Sequence, residues 1–251
     1  MRRDGAPYRI MDDSRPKTVP DQPTRQPGTR AARPRDAATL IIYRLHRGAV
    51  EVLMGERHHK HKFLPQRYVF PGGRVDPEDS RVRPARPIRD DVMALLTRRA
   101  TPARARALMA AAVRETFEEA GLMIGAPDPT PGRPVPENWR HFFATGMAPD
   151  FGDISYVARA VTPPWRPIRF NARFLMIDAR HVQGDLGGGT GELINLTFVP
   201  VPETQKLELA LITKRVLELV EDLARNPPPP GARKTVAHFV HNGNHHDIVE
   251  E

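Results

Sequence analysis

Arg114-Glu115-Thr116-Phe117-Glu118-Glu119-Ala120-Gly121-Leu122 is the stretch on which the reading of this chain turns. It closes a run of Ala, Leu, Met, Arg and Glu that starts at Thr101-Pro102, a hydroxyl N-cap followed by proline at the first helical position. Gly121 is the natural stop, so a helix is expected up to Ala120. At about 100° per residue, Glu118 and Glu119 lie about 60° and 40° to either side of Glu115, and all three carboxylates project within one arc. Like charges at these spacings repel, and two of them stand in the last turn, where the helix dipole disfavours anions. Arg114 can pair with Glu118 four residues on, which leaves Glu115 and Glu119 uncompensated. A divalent cation would relieve the repulsion, and hard carboxylate oxygens suit Mg²⁺ or Mn²⁺. The competing reading is an ordinary solvated acidic face. Phe70-Pro71-Gly72-Gly73 favours the metal, because glycine backbone lets a carbonyl or amide approach a cation or a phosphate.

Outward from this helix, strands and helices alternate without βαβ regularity. Residues 38–43 and 50–54 read as two strands joined around Gly48, and Tyr68-Val69-Phe70 as a third. Residues 90–99 could form one short helix, and Trp139 to Phe143 another. Strands are expected over 155–161, 168–177, 193–199 and 236–240, with a helix over 207–223 ended by Pro227–Pro230. The mixture points to an α/β sandwich with hairpins.

The 251 residues suit one sizeable domain. Cysteine is absent, which excludes disulfides, thiolate metal sites and cysteine catalysis. No apolar run approaches the roughly 18 residues of a membrane span, and no apolar segment follows the first residues as a secretory signal would require. A cytoplasmic protein without a membrane partner is expected. The net charge is +8, of which residues 1–36 carry +4: eight Arg and one Lys against five Asp, with six Pro. That is the composition of a disordered tail. No aromatic residues alternate with its arginines to stack on bases, so nucleic acid is not the expected partner.

The helix motif and the glycines before it resemble the Nudix hydrolases, whose signature is G-x5-E-x7-R-E-U-x-E-E-x-G-U, with U bulky and aliphatic. Arg114, Glu115, Glu118, Glu119, Gly121 and Leu122 match its second half; Gly73 matches the first, with Asp79 at the glutamate position and Thr116 at an aliphatic one. Asp79 and Arg114 stand 35 positions apart where the signature has eight, an insertion of 27 residues. That insertion is similar to one branch of the family, the proteins resembling peroxisomal coenzyme A diphosphatases. Residues 70–76, Thr162-Pro163-Pro164, Arg169 to Phe174 and Glu192 to Pro200 look like the same branch, although Asn171 stands where it usually has Asp.

The resemblance implies an α+β fold, a Nudix-type α/β/α sandwich with a mixed β-sheet, an insertion lobe over about residues 80–106 and a disordered N-terminal tail. The domain would span 37–226, with a Pro-rich linker and C-terminal extension over 227–251. It implies that Glu115, Glu118, Glu119 and the Gly73 carbonyl hold Mg²⁺ (or Mn²⁺), and that a carboxylate among these, or the more distal Glu192, takes the proton from an attacking water. The substrate would be a small molecule with a pyrophosphate bond, coenzyme A or an acyl derivative being the first guess, and a homodimer is left open. Arg57, Arg169 and Arg173 could clamp phosphates beside Gly72, guanidinium matching their geometry. Two His clusters, His58/His59/His61 and His238/His241/His245/His246, lie in hydrophilic segments, which makes them poor zinc sites. Trp139, Phe142 and Phe143 are expected in the core. A non-catalytic ligand- or protein-binding module of the same fold is the alternative, and an RNA-associated pyrophosphatase a third.

Overall fold

A computed structural model describes residues 30–57, 67–242 and 245–251. Its centre is a mixed sheet. β1 (Arg35–His46) and β2 (Ala49–Arg57) form the expected hairpin, with Tyr43 opposite Val52. β3 (Tyr68–Val69) continues from β2, and β4 (Gly72–Arg74) lies antiparallel on β1, Gly73 facing Ala38. After a 3-10 turn (Pro77–Arg81) come α1 (Asp90–Leu96) and α2 (Pro102–Ala120). β5 (Gly125–Pro127) and β6 (Met147–Pro149) make a small separate ribbon, with a second 3-10 turn (Glu137–Trp139) and α3 (Arg140–Phe143) between them. β7 (Ser155–Val161) and β8 (Phe170–Asp178) return to the main sheet, where β8 runs parallel to β1. β9 (Leu193–Pro200) pairs with β2, and α4 (Leu211–Arg225) precedes a closing hairpin of β10 (Ala237–Asn242) and β11 (His245–Glu250). The strand order is β11-β10-β7-β8-β1-β2-β3.

Strand alternation sends side chains to two layers. Leu40 and Ile42 of β1 and Leu175 and Ile177 of β8 face the layer built by α1 and α2, while Ile41, Phe174 and Met176 face α4 through Val216, Leu217 and Val220. Helices therefore cover both faces, the α/β/α sandwich that was expected. No helix among the described residues is long and apolar enough to cross a membrane.

The segment between Asp79 and Arg114, expected as an insertion lobe, packs on the main core through Val82, Ile88, Val92, Leu95, Leu96, Ala105 and Leu108 and runs into the 19-residue α2. Two boundaries need correction. Order does not wait for residue 37. Arg35 and Asp36 are in β1, because Asp36 is held by Arg173 and Asn171 and its carbonyl accepts from Val75 N–H. The last long helix starts at Leu211, since the preceding residues, Val201–Lys206, wind as a 3-10 turn. The strand expected over 236–240 is β10, which runs parallel to β7, and β11 adds a further strand beyond it. Residues 1–29 of the expected tail and His58, His59 and His61 lie outside the described residues, and His241, His245 and His246 are strand positions.

Candidate active site at the end of the acidic helix

α2 begins and ends as its sequence dictates. Thr101 Oγ1 accepts from Arg104 N–H at 3.2 Å, and Gly121 adopts φ 72°, a left-handed stop that suits glycine. The cover over this helix end is a feature that the sequence reading missed. The loop over 184–191 folds back on it, and Thr190 N–H donates to the Glu118 carbonyl at 2.7 Å, satisfying one of the orphan acceptors of the last turn. The run Gly187-Gly188-Gly189 was the signal available, since packing backbone on backbone needs residues without side chains.

The two halves of the split motif are clasped by a buried ion pair. The Asp79 side chain is fully buried and accepts from Arg114 Nε at 3.0 Å and Nη2 at 3.2 Å, from Trp139 Nε1 at 2.9 Å and from Asp76 N–H at 2.8 Å. Four donors leave none of its lone pairs idle, which is the condition under which a buried carboxylate is tolerated. Trp139 is thus a core residue with one polar duty, as its T-shaped contact with Phe142 also shows.

Above this clasp the glutamates gather. Arg114 Nη1 holds Glu115 at 3.0 Å and Glu118 at 2.9 Å, while Glu119 Oε2 accepts from Gly72 N–H at 2.9 Å. Gly73 lies directly under Glu115: a Cβ there would stand 2.3 Å from the carboxyl carbon. Burial, with the Glu118 charge adding and Arg114 opposing, pushes the Glu115 carboxyl up to about 6. Glu119 is pushed up to about 8, chiefly by burial and then by Glu115 and Glu192, against the Gly72 N–H and Arg57. Burial also raises Glu118, with Asp79 and Glu192 adding and Arg114 opposing. Arg114 is held above its ordinary range because Asp79, Glu115 and Glu118 outweigh its own desolvation.

This donor set fits a divalent cation. It is all oxygen, two of its carboxyls are held above their ordinary range by burial, and the glycine beneath lets the Glu115 carboxyl lie against backbone where a Cβ would clash with it. Among the described residues no three acidic or His side chains converge on one point as arranged here, each glutamate being turned to a protein donor.

Of the other sequence candidates, Arg57 and Glu192 lie at the paired ends of β2 and β9, where Arg57 faces Leu193 and the loop before Glu192 touches the helix end through Thr190. Two others do not reach it. Arg173 is 1% exposed and gives its N–H groups to Asp36, the Asn171 carbonyl and the Arg99 carbonyl. Arg169 donates to the Thr162 and Ala32 carbonyls, tying the start of β8 to the end of β7 and to the segment before β1. Asn171, the departure noted in the sequence, bridges Arg159 and Asp36.

No protein-family model and no curated protein matches the sequence. Solved structures do. A Nudix hydrolase from Alicyclobacillus acidocaldarius is 27% identical, covers 76% of this chain and 92% of its own, and superposes with a TM-score of 0.56. The MutT protein from Methanosarcina mazei Go1 is 16% identical over 77% of this chain and 97% of its own, with a TM-score of 0.44, too weak a likeness to carry an argument. The mixed sheet, its two helical layers and the first of these likenesses agree, and the fold of this chain is the Nudix fold.

Proposed function

We propose that this chain is a divalent-cation-dependent Nudix hydrolase that cleaves a pyrophosphate bond in a nucleoside diphosphate joined to another group. The observation that carries the reading is the triad Glu115, Glu118 and Glu119, crowded over Gly72 and Gly73 and rooted on the buried Arg114–Asp79 pair. A pure binding module has no need of carboxyls held above their ordinary range at one helix end. The likeness to a Nudix hydrolase over 92% of that protein's length supports it.

Glu115, Glu118, Glu119 and the Gly73 carbonyl would hold Mg²⁺ or Mn²⁺. When bound, such an ion polarises a phosphoryl oxygen and lowers the pKa of water. The chain's own residues do the rest. Arg114 fixes the Glu115 and Glu118 carboxyls relative to each other and keeps their combined charge tolerable in a desolvated place. The Gly72 N–H orients Glu119. Arg57 grips the phosphates at the mouth, with a planar fork that meets two oxygens at once. A carboxylate, one of the triad or Glu192, accepts the proton of the attacking water, and a group with a pKa near neutrality is suited to hold and release it.

Coenzyme A or an acyl-coenzyme A is the first substrate to try, on the sequence resemblance of the insertion and of the segments around it. The test is a panel of pyrophosphate compounds, namely coenzyme A, a nucleotide sugar and a dinucleotide, with Mg²⁺, with Mn²⁺ and with chelator. Coenzyme A should give 3′,5′-ADP and 4′-phosphopantetheine, and ¹⁸O-labelled water should mark one product's phosphate alone. Undiminished turnover in excess chelator rejects the cation. Cleavage of another panel member rejects only the substrate, and turnover of none of them leaves the binding-module reading.

A further inference from the structure

Two residues outside glycine have positive φ among those described, Arg47 in the β1–β2 turn and Asn195 at φ 53°, inside strand β9. A non-glycine residue in the left-handed region within a strand is uncommon, and asparagine is among the residues that tolerate it. The ladder shows what it does. Met54 faces Thr197 but Glu56 faces Ile194 and Arg57 faces Leu193, so Asn195 is the extra residue of a β-bulge opposite Gly55. Side chains alternate along a regular strand, yet Leu193 and Leu196, three residues apart, both lie over Gly55, where a Cβ would meet each at 3.0 Å. The bulge has reversed the alternation between them. Asn195 Nδ2 also donates to Glu56 Oε2 at 3.0 Å, pinning the bulge to the partner strand.

We propose that Asn195 is a positioning residue, whose left-handed backbone turns the ends of β2 and β9 so that Arg57 and Glu192 converge on the acidic helix end. Without the bulge, the register of Met54 with Thr197 would continue and Ile194 would face Arg57. Glu192 would then sit one residue, about 3.3 Å, further along β2, and Leu193 would leave the α2 face. Bulges beside functional sites re-aim side chains in this way. The N–H of Thr190, two residues before Glu192, donates to the Glu118 carbonyl at 2.7 Å, and Arg57 pairs with Leu193, so the strand ends reach the end of the acidic helix. What the two side chains do at the site rests on the hydrolase reading; how they come to be there does not.

The test compares Asn195→Val, which opposes positive φ, with Asn195→Gly, which allows it, in the full chain. Cross-strand amide contacts read by NMR should show Arg57 opposite Leu193 in the wild type and in the glycine variant, and lose that pairing in the valine variant. Binding of inorganic pyrophosphate with Mg²⁺, read by calorimetry, should weaken about five- to tenfold in the valine variant and about twofold at most in the glycine variant. With a hydrolysed substrate, the valine variant should raise KM by a similar factor and change kcat less, the mark of lost uniform binding. Wild-type pairing and affinity in Asn195→Val would overturn the proposal. So would a glycine variant as weak as the valine one, which would place the effect in the lost Glu56 hydrogen bond, and so would a wild type that does not bind pyrophosphate. A wild type that binds pyrophosphate but hydrolyses nothing rejects the hydrolase reading alone, because pairing and binding are read without turnover.

Discussion

Glu119 and Glu251 are both buried, and they live in opposite surroundings. Glu251 receives Arg99 at 2.9 Å, Arg159 at 3.0 Å and His238 at 3.1 Å, and its backbone exchanges both hydrogen bonds with Val236. Glu119 has one backbone N–H, two like-charged glutamates nearby and a carboxyl pushed up to about 8, chiefly by burial. A carboxylate surrounded by donors ties elements together; here it fastens the C-terminal hairpin to β7 and to the loop between α1 and α2. A carboxyl buried without them holds free energy in reserve for something that binds. The same side chain, equally hidden, separates into structure and chemistry by its partners alone.

The largest effect should come from breaking the clasp beneath the first of these clusters. Asp79→Ala leaves the Nε edge of the buried Arg114 without its acceptor and removes the acceptor of the Trp139 N–H, a loss of about 3–5 kcal/mol. Chemical denaturation should show it as a lower midpoint with an unchanged slope, and Asp79→Asn should fall between the two. A variant as stable as the wild type would mean that Arg114 finds its compensation entirely among the glutamates.

Next comes Glu119→Gln. Hydrolysis should fall by about 10²–10³, the scale on which loss of one electrostatic contributor to a phosphoryl transition state is felt. Thermal stability without added cation should stay level or rise, because a desolvated acid becomes a neutral amide. Glu251→Gln should behave in the opposite manner. It leaves Arg99 and Arg159 short of a counter-ion and His238 short of an acceptor, lowers stability by about 1.5–3 kcal/mol, and changes hydrolysis less than about twofold. If the two variants lost activity and stability in the same ratio, the division between the clusters would collapse.

How much of this was legible in the sequence depends on what is local. The helix, its Thr101 and Gly121 caps, the arc of glutamates and the glycines beneath them depend on neighbours within a few residues, and each stands where the sequence placed it. Arg173 failed as a phosphate clamp because an arginine's type says nothing of its burial; only the pairing of β8 with β1 brings Asp36 beside it. The partnership of Trp139 with Asp79 spans 60 positions, and that of Glu251 with Arg99 spans 152. No periodicity records such pairs. Asn195 left a faint trace, an asparagine in an otherwise apolar alternation, but a bulge is a property of two strands and not of one.

The smallest effect is the one that isolates the reserve itself. In an unfolded chain Glu119 titrates near 4.5, and in the fold near 8. Between those values the folded protein holds a proton that the unfolded chain has released, so this group's contribution is fully present below about pH 4.5 and is lost as pH rises through about 8. Glu115 acts in the same direction over a narrower window that closes near pH 6. Other groups titrate too, so the quantity to follow is the difference between the wild type and Glu119→Gln. In chelator, the melting temperature of the wild type should fall relative to the variant by a few degrees between pH 5.5 and 8.5. Glu251→Gln should keep the wild-type slope, since the carboxyls at the helix end are untouched. Adding Mg²⁺ should reverse the trend, because a cation competes with the proton and gains the ground that the proton loses. The stabilisation it confers should therefore grow with pH and level off above about 8. Parallel pH slopes in the wild type and Glu119→Gln would show that burial does not hold this carboxyl in its acid form, and that Glu119 and Glu251 are more alike than their surroundings suggest.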